Sequence, residues 1–441
     1  MNPQRFLRLV SGAMAALGIS AAAIVALNLR GEDPLPSAET LKPTPALVAQ
    51  GEYLTRVGNC MACHTVQGGA PFAGGRGIET PFGVVYSSNL TPDKATGLGA
   101  WTSAEFWRAM HNGRGKDGRL LYPAFPYTSY THVTREDSDA IFAYLQSLPP
   151  VAQANKAHAL RFPYSTQAAL GVWRALFFTP ADVAQPAASA PQALATAQVP
   201  DYQRGAYLVN GLGHCAACHT PRNSLGAEQQ GQALAGGLIP VQNWLAPALT
   251  DAGQAGVQRW PQADVVALLK TGVAPQASVI GPMAEVVFRS TQYLSDADAR
   301  AMAVYLQALP QHAATPAKQA AAPASVMERG AKVYEAQCAQ CHGAQGQGAK
   351  DEAGQPAFPP LAGNRAVVLA DPTNLVRVVL QGGYLPATAG NPRPHGMPPF
   401  QHLLGDEDVA AVTTFVRNSW GNQAAGVGTI EVYRARERRS P

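Results

Sequence analysis

The sequence predicts an all-α protein that contains three copies of one small helical domain. Three observations lead to this prediction. The six cysteines form three pairs of identical spacing, each with a histidine directly after the second cysteine. A short helical segment with a glycine precedes every pair, and a second helical segment closes every copy after a stretch rich in glycine and proline. Because the same features recur in the same order, we treat the chain as an internal repeat.

The cysteine motifs carry the chemistry of the chain. They read Cys60-Met61-Ala62-Cys63-His64, Cys215-Ala216-Ala217-Cys218-His219 and Cys338-Ala339-Gln340-Cys341-His342. The C-x-x-C-H pattern is the attachment signal for c-type haem. No cysteine is left over, so the sequence predicts three covalent haem c groups. The cysteines are expected to bind the porphyrins and His64, His219 and His342 the irons.

The helices on either side of each motif define the repeat. Gly51, Gly205 and Gly330 lie in the helices that precede the three motifs. In the closing helices, Thr134 and Ser295 have the chemistry of N-caps, with an acidic residue three positions later. Two helices that bracket a haem loop resemble the class I cytochrome c fold, in which they cross at glycine and aromatic positions.

Composition places the domain boundaries. Ala/Pro-rich stretches at residues 181–200 and 311–325 are typical of linkers. They predict cytochrome c domains at residues 47–150, 201–310 and 326–421 and a C-terminal tail at 422–441. We interpret the basic residues 434–439 of this tail as a solvated end, with docking to a partner as the alternative. Residues 165–178, in the segment 151–200, form an amphipathic pattern that favours packing on the domains, with docking to a subunit or membrane as the alternative.

The N-terminal segment, residues 1–30, predicts export. Arg5 and Arg8 precede an apolar run from Leu9 to Leu29 that is long enough to cross a bilayer. Since no clear small-x-small cleavage site follows, an uncleaved membrane anchor is favoured over a cleaved signal peptide. Either interpretation places the domains on the periplasmic side of the cell inner membrane.

Two methionines are candidates for the sixth iron ligand. Met397 lies between prolines shortly before the third closing helix, and Met283 follows Gly281-Pro282 before the second. Methionine is a usual axial ligand in electron-transfer cytochromes and raises the potential. His395 is a weaker candidate for the third haem.

The first domain has no methionine in the corresponding loop. Phe125 stands there, and a phenyl ring cannot bind iron. Met110, His111 and His132 are the substitute candidates, and an open five-coordinate iron is the alternative. A histidine ligand would give this haem the lowest potential of the three.

Charge and motif content exclude other functions. The formal net charge is only +4, and no basic run accompanies an aromatic stacking surface, so nucleic acid is not a predicted partner. No nucleotide-binding loop or nucleophile triad is present in the sequence. These features favour an electron-transfer protein over an enzyme.

Beyond residue 45 the chain resembles the triheme cytochrome c subunits of bacterial membrane-bound dehydrogenases. The similarity is carried by the three C-x-x-C-H units and by residues 71–75, 80–92, 121–127 and 416–422. In that family the first ligand loop carries methionine where this chain has Phe125.

The resemblance implies a catalytic partner subunit of quinoprotein, flavoprotein or molybdenum type. It also implies delivery of electrons to ubiquinone or to another acceptor, such as a downstream cytochrome or oxidase. Two alternatives stay open: a stand-alone carrier that serves a terminal oxidase, and a haem enzyme that acts at an open first iron.

Overall fold

The computed structural model describes residues 3–32, 41–185, 187–311, 322–352, 354 and 356–437. These residues form two compact units. The first consists of Met1–Thr55, Cys63–Gln185 and Ser224–Ala227, and the second of Arg56–Ala62, Pro186–Asn223 and Glu228–Pro441. Most of the first predicted domain therefore belongs to one unit, and the second and third predicted domains share the other.

Helices dominate the first 185 residues. The helices described there are α1 (Pro3–Leu29), α2 (Pro45–Val57), α3 (Cys60–His64), α4 (Ser103–Asn112), α5 (Tyr127–Tyr130), α6 (Arg135–Ser147) and α7 (Gln167–Phe177). Three short strands, β1 (Gly77–Thr80), β2 (Gly83–Tyr86) and β3 (Ala159–Leu160), form an antiparallel sheet in the order β1-β2-β3. In this sheet Gly77 pairs with Tyr86, and Gly83 pairs with Leu160.

The rest of the chain repeats this pattern twice. Its helices are α8 (Val199–Ala206), α9 (Ala216–His219), α10 (Gln262–Thr271), α11 (Pro282–Arg289), α12 (Asp296–Gln307), α13 (Ala324–Gln337), α14 (Ala339–His342), α15 (Arg365–Val368), α16 (Thr373–Gln381), α17 (Asp406–Arg417) and α18 (Thr429–Glu437). A π-helical segment, Tyr207–Leu212, continues α8, and 3-10 turns cover Thr196–Gln198 and Thr291–Tyr293.

Paired short strands lie between these helices. The antiparallel pairs are β4 (Gly237–Ile239) with β5 (Trp244–Ala246), β6 (Val273–Ala274) with β7 (Ala277–Ser278), β8 (Ala349–Lys350) with β9 (Pro356–Phe358), and β10 (Gly383–Tyr384) with β11 (Gly396–Met397). The sequence did not predict them. Strands of two to four residues are too short to show a period-2 pattern.

In each copy the first and last helices cross at a glycine. A Cβ on Gly51 would overlap the carbonyl oxygen of Ala140, and a Cβ on Gly205 would overlap that of Ala301. Gly330 makes the same approach to Ala411 in the third copy. The next contact of each glycine is the Cβ of an aromatic residue one turn later on the closing helix: Tyr144, Tyr305 and Phe415. The predicted glycine–aromatic crossing is confirmed in all three copies.

The closing helices begin with the predicted caps. The Thr134 hydroxyl accepts a hydrogen bond from the Asp137 amide at 3.3 Å, and the Ser295 hydroxyl accepts one from the Asp298 amide at 3.1 Å. In the third copy Gly405 is the N-cap and three acidic residues fill the first turn of α17. Negative charge near a helix N-terminus is stabilised by the helix dipole.

Within the second unit, the second and third domains pack against each other. The Leu245 amide donates to Asn374 Oδ1 at 2.9 Å, and Asn374 Nδ2 donates to the Leu245 carbonyl at 2.7 Å. The guanidinium of Arg377, which is fully buried, lies 4.7 Å from the centre of the Trp244 ring. This side chain–backbone pair and the stacked cation fix β5 of the second domain against α16 of the third.

The C-terminal tail corrects one expectation in part. Residues 434–439 were expected to form a solvated end; Arg434 is exposed and residues 438–439 lie outside the described residues, but α18 packs on the third domain with Val432 and Ala435 buried beside Val409 and Leu380. The side chain of Arg436 pairs with Asp406 at 2.8 Å. Small apolar residues spaced three apart on a nine-residue helix gave too weak a pattern to reveal this face.

Two other predicted segments can be located in part. The amphipathic pattern at residues 165–178 is helix α7, which buries Leu170, Gly171 and Arg174 and exposes Val172 and Leu176. Most of the linker predicted at residues 311–325 lies outside the described residues.

In the described part of the chain, no helix has both the length and the apolar character needed to cross a bilayer, so the predicted anchor finds no support there.

Candidate metal centres

Each C-x-x-C-H motif folds into a single helical turn. The first is α3 itself, and the second and third are α9 and α14 with Cys215 and Cys338 at their N-caps. The amides of His219 and His342 donate to the carbonyls of these cysteines, each at 2.9 Å. Positions i, i+3 and i+4 share one face of a helix, so both sulfurs and the imidazole of a motif point the same way.

The three motif histidines are oriented by the same kind of hydrogen bond. Each Nδ1 lies at hydrogen-bonding distance from a backbone carbonyl further along the chain. These contacts are His64 Nδ1 to Ser88 O at 2.8 Å, His219 Nδ1 to Pro247 O at 2.7 Å and His342 Nδ1 to Pro359 O at 3.0 Å. A ring that donates through Nδ1 keeps the lone pair of Nε2 free for a metal.

Burial keeps these imidazoles neutral. It lowers the pKa of His64, His219 and His342, and the hydrogen bond to the carbonyl opposes this effect to a smaller degree. Burial also raises the pKa of Cys215 to about 12 and that of Cys338 to about 11, with the neighbouring cysteine of each motif adding to the effect. The histidines are therefore in the neutral state that can bind iron, and before haem attachment these two cysteines are thiols rather than thiolates.

The third motif opens into an apolar cavity. Cys338, Cys341, His342 and Met397 all line it, together with aliphatic side chains of α16 and α17. Ser278 to Gly281 of the second domain form part of its wall. His395 also lines this cavity, and its exposed ring stacks on Phe358 with the ring centres 4.6 Å apart.

Met397 and Met283 differ in their local structure. Met397 ends β11, where it pairs with Gly383 of β10. Met283 lies in the first turn of α11, directly after Pro282, and packs on a buried cluster of Val279, Ala284 and Val287. Both were expected in loops. Proline suits the first position of a helix, which explains why the Gly-Pro-Met sequence starts one.

The first domain places two of its three candidates on α4 and the third in the turn before α6. Met110 and His111 are buried neighbours near the end of α4, and the His111 ring stacks on Trp107 at 4.5 Å. His132 is half-buried just before α6, and burial lowers its pKa. The Phe125 ring packs against Tyr130, with the ring centres 5.4 Å apart.

The carbonyls of Ser88, Pro247 and Pro359 were missed by the sequence reasoning. Every residue has a carbonyl, so a backbone acceptor has no signature of its own. In the second and third copies a proline, 28 and 17 residues after the histidine respectively, is the one available signal.

These residues suit a covalently bound haem. Paired thiols on one helical turn, a neutral imidazole held through Nδ1 and an apolar cavity with a thioether are the groups that a c-type haem requires. The sequence profile of the family described as "Cytochrome c" matches residues 48–149, 202–310 and 327–420. The chain belongs to the cytochrome c family. Membership of this family implies covalently bound haem c.

Several characterised cytochromes are similar along most of their length. The alcohol dehydrogenase (quinone) cytochrome c subunit of Gluconacetobacter polyoxogenes is 39% identical over 426 residues, 92% of this chain and 87% of its own. The gluconate 2-dehydrogenase cytochrome c subunit of Pantoea cypripedii is 40% identical over 401 residues, 88% of each chain. The fructose dehydrogenase cytochrome subunit of Gluconobacter japonicus is 35% identical over 431 residues, 90% of this chain and 85% of its own. All three relatives are named as cytochrome subunits of dehydrogenases.

Proposed function

We propose that this cytochrome is the triheme electron-transfer subunit of a periplasmic dehydrogenase complex, with the catalytic subunit on another chain. The observation that carries the proposal is the threefold occurrence of one site: a C-x-x-C-H turn whose histidine Nδ1 bonds a backbone carbonyl. Haem c, once attached, supplies reversible one-electron chemistry. Three such sites in one chain suit transfer of charge in steps.

The side chains of this protein serve to hold and tune that group. The Nδ1 hydrogen bonds fix the plane of each imidazole and increase its basicity. Apolar walls, such as those of the third cavity, would keep water away from the iron of a bound haem and so favour a stable reduction potential. Met283 and Met397 are proposed as sixth ligands of the second and third irons, where a thioether raises the potential.

The catalytic partner follows from the relatives. Quinone-linked alcohol dehydrogenase, gluconate 2-dehydrogenase and fructose dehydrogenase each include a cytochrome subunit similar to this chain. We propose a partner of the same broad class, a quinoprotein, flavoprotein or molybdenum enzyme. Ubiquinone or a downstream cytochrome or oxidase is the proposed acceptor.

We place the protein at the periplasmic face of the inner membrane. The support comes from sequence, namely Arg5 and Arg8 followed by the apolar run from Leu9 to Leu29. Fractionation of cells that express the chain should recover the haem-stained protein with membranes. Recovery from the cytosol would contradict this location.

Haem counting tests the proposal directly. The purified full chain should give three haems per polypeptide by pyridine haemochrome, and a C338S/C341S variant should give two. The matched control is His395→Ala, which removes a histidine outside the attachment motifs and should retain three. A count below three in the wild type would refute the triheme assignment.

Partner dependence tests the role. The chain alone should remain oxidised when alcohol, gluconate or fructose is added, and the haems should become reduced once the co-purifying catalytic subunit is present. Reduction by any of these substrates without a partner would show catalysis by the chain itself. Full activity as a soluble shuttle to an oxidase, with no dehydrogenase bound, would instead favour the stand-alone carrier.

A further inference from the structure

The helices α4, α10 and α16 occupy the same place in the three copies and share one register. Each ends at a left-handed glycine whose amide donates to the carbonyl four residues earlier. These bonds are Gly113 to Ala109 at 3.1 Å, Gly272 to Leu268 at 3.0 Å and Gly382 to Val378 at 2.9 Å. Counting back from the glycine therefore identifies equivalent positions in the three helices.

In the third copy this helix has a cavity face and a core face. Leu375, Val378 and Val379 line the cavity that contains His342 and Met397. Val376 and Leu380 belong to the buried cluster that the helix forms with α17 and α18, and Val379 packs against that cluster while also lining the cavity. The cavity face thus comprises the positions three, four and seven residues before the glycine.

The second copy repeats the cavity face but not the core face, because Lys270, at the position of Leu380, pairs with Asp296 at 2.6 Å. Leu268 stands four residues before Gly272 and packs on the cluster that also contacts Met283. In the third copy this face of the helix therefore lines the same cavity as Met397, and in the second copy Leu268 and Met283 pack on the same cluster.

In the first copy, counting back from Gly113 assigns Met110 and His111 to different faces of α4. Met110 stands three residues before Gly113, the position of Val379, and so belongs to the cavity face. His111 takes the position of Leu380 on the core face, and its ring stacks on Trp107, the counterpart of Val376. Met110 is 4% exposed, which places its thioether in the interior.

His132 stands at a position that is exposed in the other two copies. It stands two residues before the N-cap Thr134, and its counterparts before the caps Ser295 and Gly405 are Tyr293 and Leu403. Those counterparts are 43% and 63% exposed. The residue directly before the cap faces inward instead: Val133 is fully buried, and Leu404 lines the third cavity. The position of His132 is thus exposed in the other two copies, and His132 itself is half-buried.

We infer that Met110, on α4, supplies the sixth ligand of the first haem. It takes the role of the loop methionine, whose position is occupied by Phe125 in this chain. A methionine has three flexible bonds beyond Cα, so its sulfur reaches further into a cavity than the valine found at this position in the third copy. The inference rests on the proposed function, since it requires haem at His64. It predicts that the same histidine–methionine ligand pair is formed in two ways. The methionine comes from a loop or strand end in one copy and from a helix in another.

Ligation is tested on the full-length holoprotein. In the ferric wild type, the charge-transfer band given by a methionine thioether should account for three haems, and the reduced protein should not bind carbon monoxide. Met110→Leu should make one haem in three high-spin and able to bind carbon monoxide. Adding Phe125→Met to that variant should restore the low-spin state.

The controls are His111→Leu, which copies the third domain, and His132→Gln, and both should stay fully low-spin. The inference is overturned if Met110→Leu leaves every haem low-spin, if either histidine variant opens an iron, or if the wild type shows only two methionine-ligated haems. The pyridine haemochrome count should remain three throughout. A lower count in the wild type would instead refute the proposed function.

Discussion

Asn364 Nδ2 lies 3.0 Å from Ser278 Oγ, forming a buried hydrogen bond between the third and second domains. Both residues line the third cavity, and they are 2% and 8% exposed. The same amide also donates to the Pro360 carbonyl at 2.8 Å, and its Oδ1 accepts from the Ala366 amide at 3.0 Å. One side chain thus closes the cavity wall, caps α15 and joins two domains.

Removing this bond should weaken the second unit. We expect Ser278→Ala to lower the free energy of unfolding by about 1 kcal/mol and Asn364→Ala by about 2–3 kcal/mol, since the asparagine makes three bonds. Denaturant unfolding followed by haem absorbance measures both. The double variant should reveal a coupling of about 0.5–1.5 kcal/mol. Strictly additive losses would show that the two side chains do not interact in solution.

Adding a side chain to the glycine at a helix crossing should lower the stability of the protein. Gly205→Ala would push a methyl group into the Ala301 carbonyl, and overpacking of this kind costs about 1–3 kcal/mol. The matched control is Gly171→Ala on α7, where the nearest atom to the new Cβ is 3.7 Å away. Alanine favours a helix over glycine by up to about 1 kcal/mol, so this control should be neutral or stabilising. Thermal melts that rank the two variants in the opposite order would disprove the crossing.

The sixth ligand of the third haem iron can be identified by substitution. Met397→Leu should lower the potential of one haem and allow it to bind carbon monoxide, because the thioether that favours ferrous iron is lost. His395→Ala, a change in the same cavity, should leave the redox titration unchanged. The opposite pattern would assign the ligand to His395.

Alkaline pH should destabilise the first unit through Tyr127. Its ring is fully buried against Phe178, at 4.9 Å between ring centres, and burial raises its pKa to about 12 from the usual 10, with the Arg174 charge opposing to a lesser degree. Above pH 10 the unfolded chain loses the phenolic proton while the folded chain retains it, so the unfolded state binds fewer protons. The free energy of unfolding should therefore fall by about 2–3 kcal/mol between pH 10 and 12.

Phenylalanine at this position provides the test. Tyr127→Phe should remove this part of the pH dependence, whereas the exposed Tyr433→Phe should retain it. Unfolding free energies measured at several values between pH 9 and 12 give the slopes. Equal slopes for the wild type and Tyr127→Phe would mean that the phenol of Tyr127 titrates normally in the folded protein.

The amino-acid sequence alone determined the features that depend on local spacing. Cys338, Cys341 and His342 share a helical face because they stand three and four residues apart, and Gly330 marks a crossing because only glycine permits that approach. The tertiary structure decided the features that depend on backbone groups far away in the chain or on which face of a helix is buried. The Pro359 carbonyl that orients His342 has no sequence signature, and Met110 and His111 are adjacent in the chain yet differ in direction by the 100° turn of a helix. Only the packing of α4 could separate the two side chains, and the inference that Met110 binds iron rests on it.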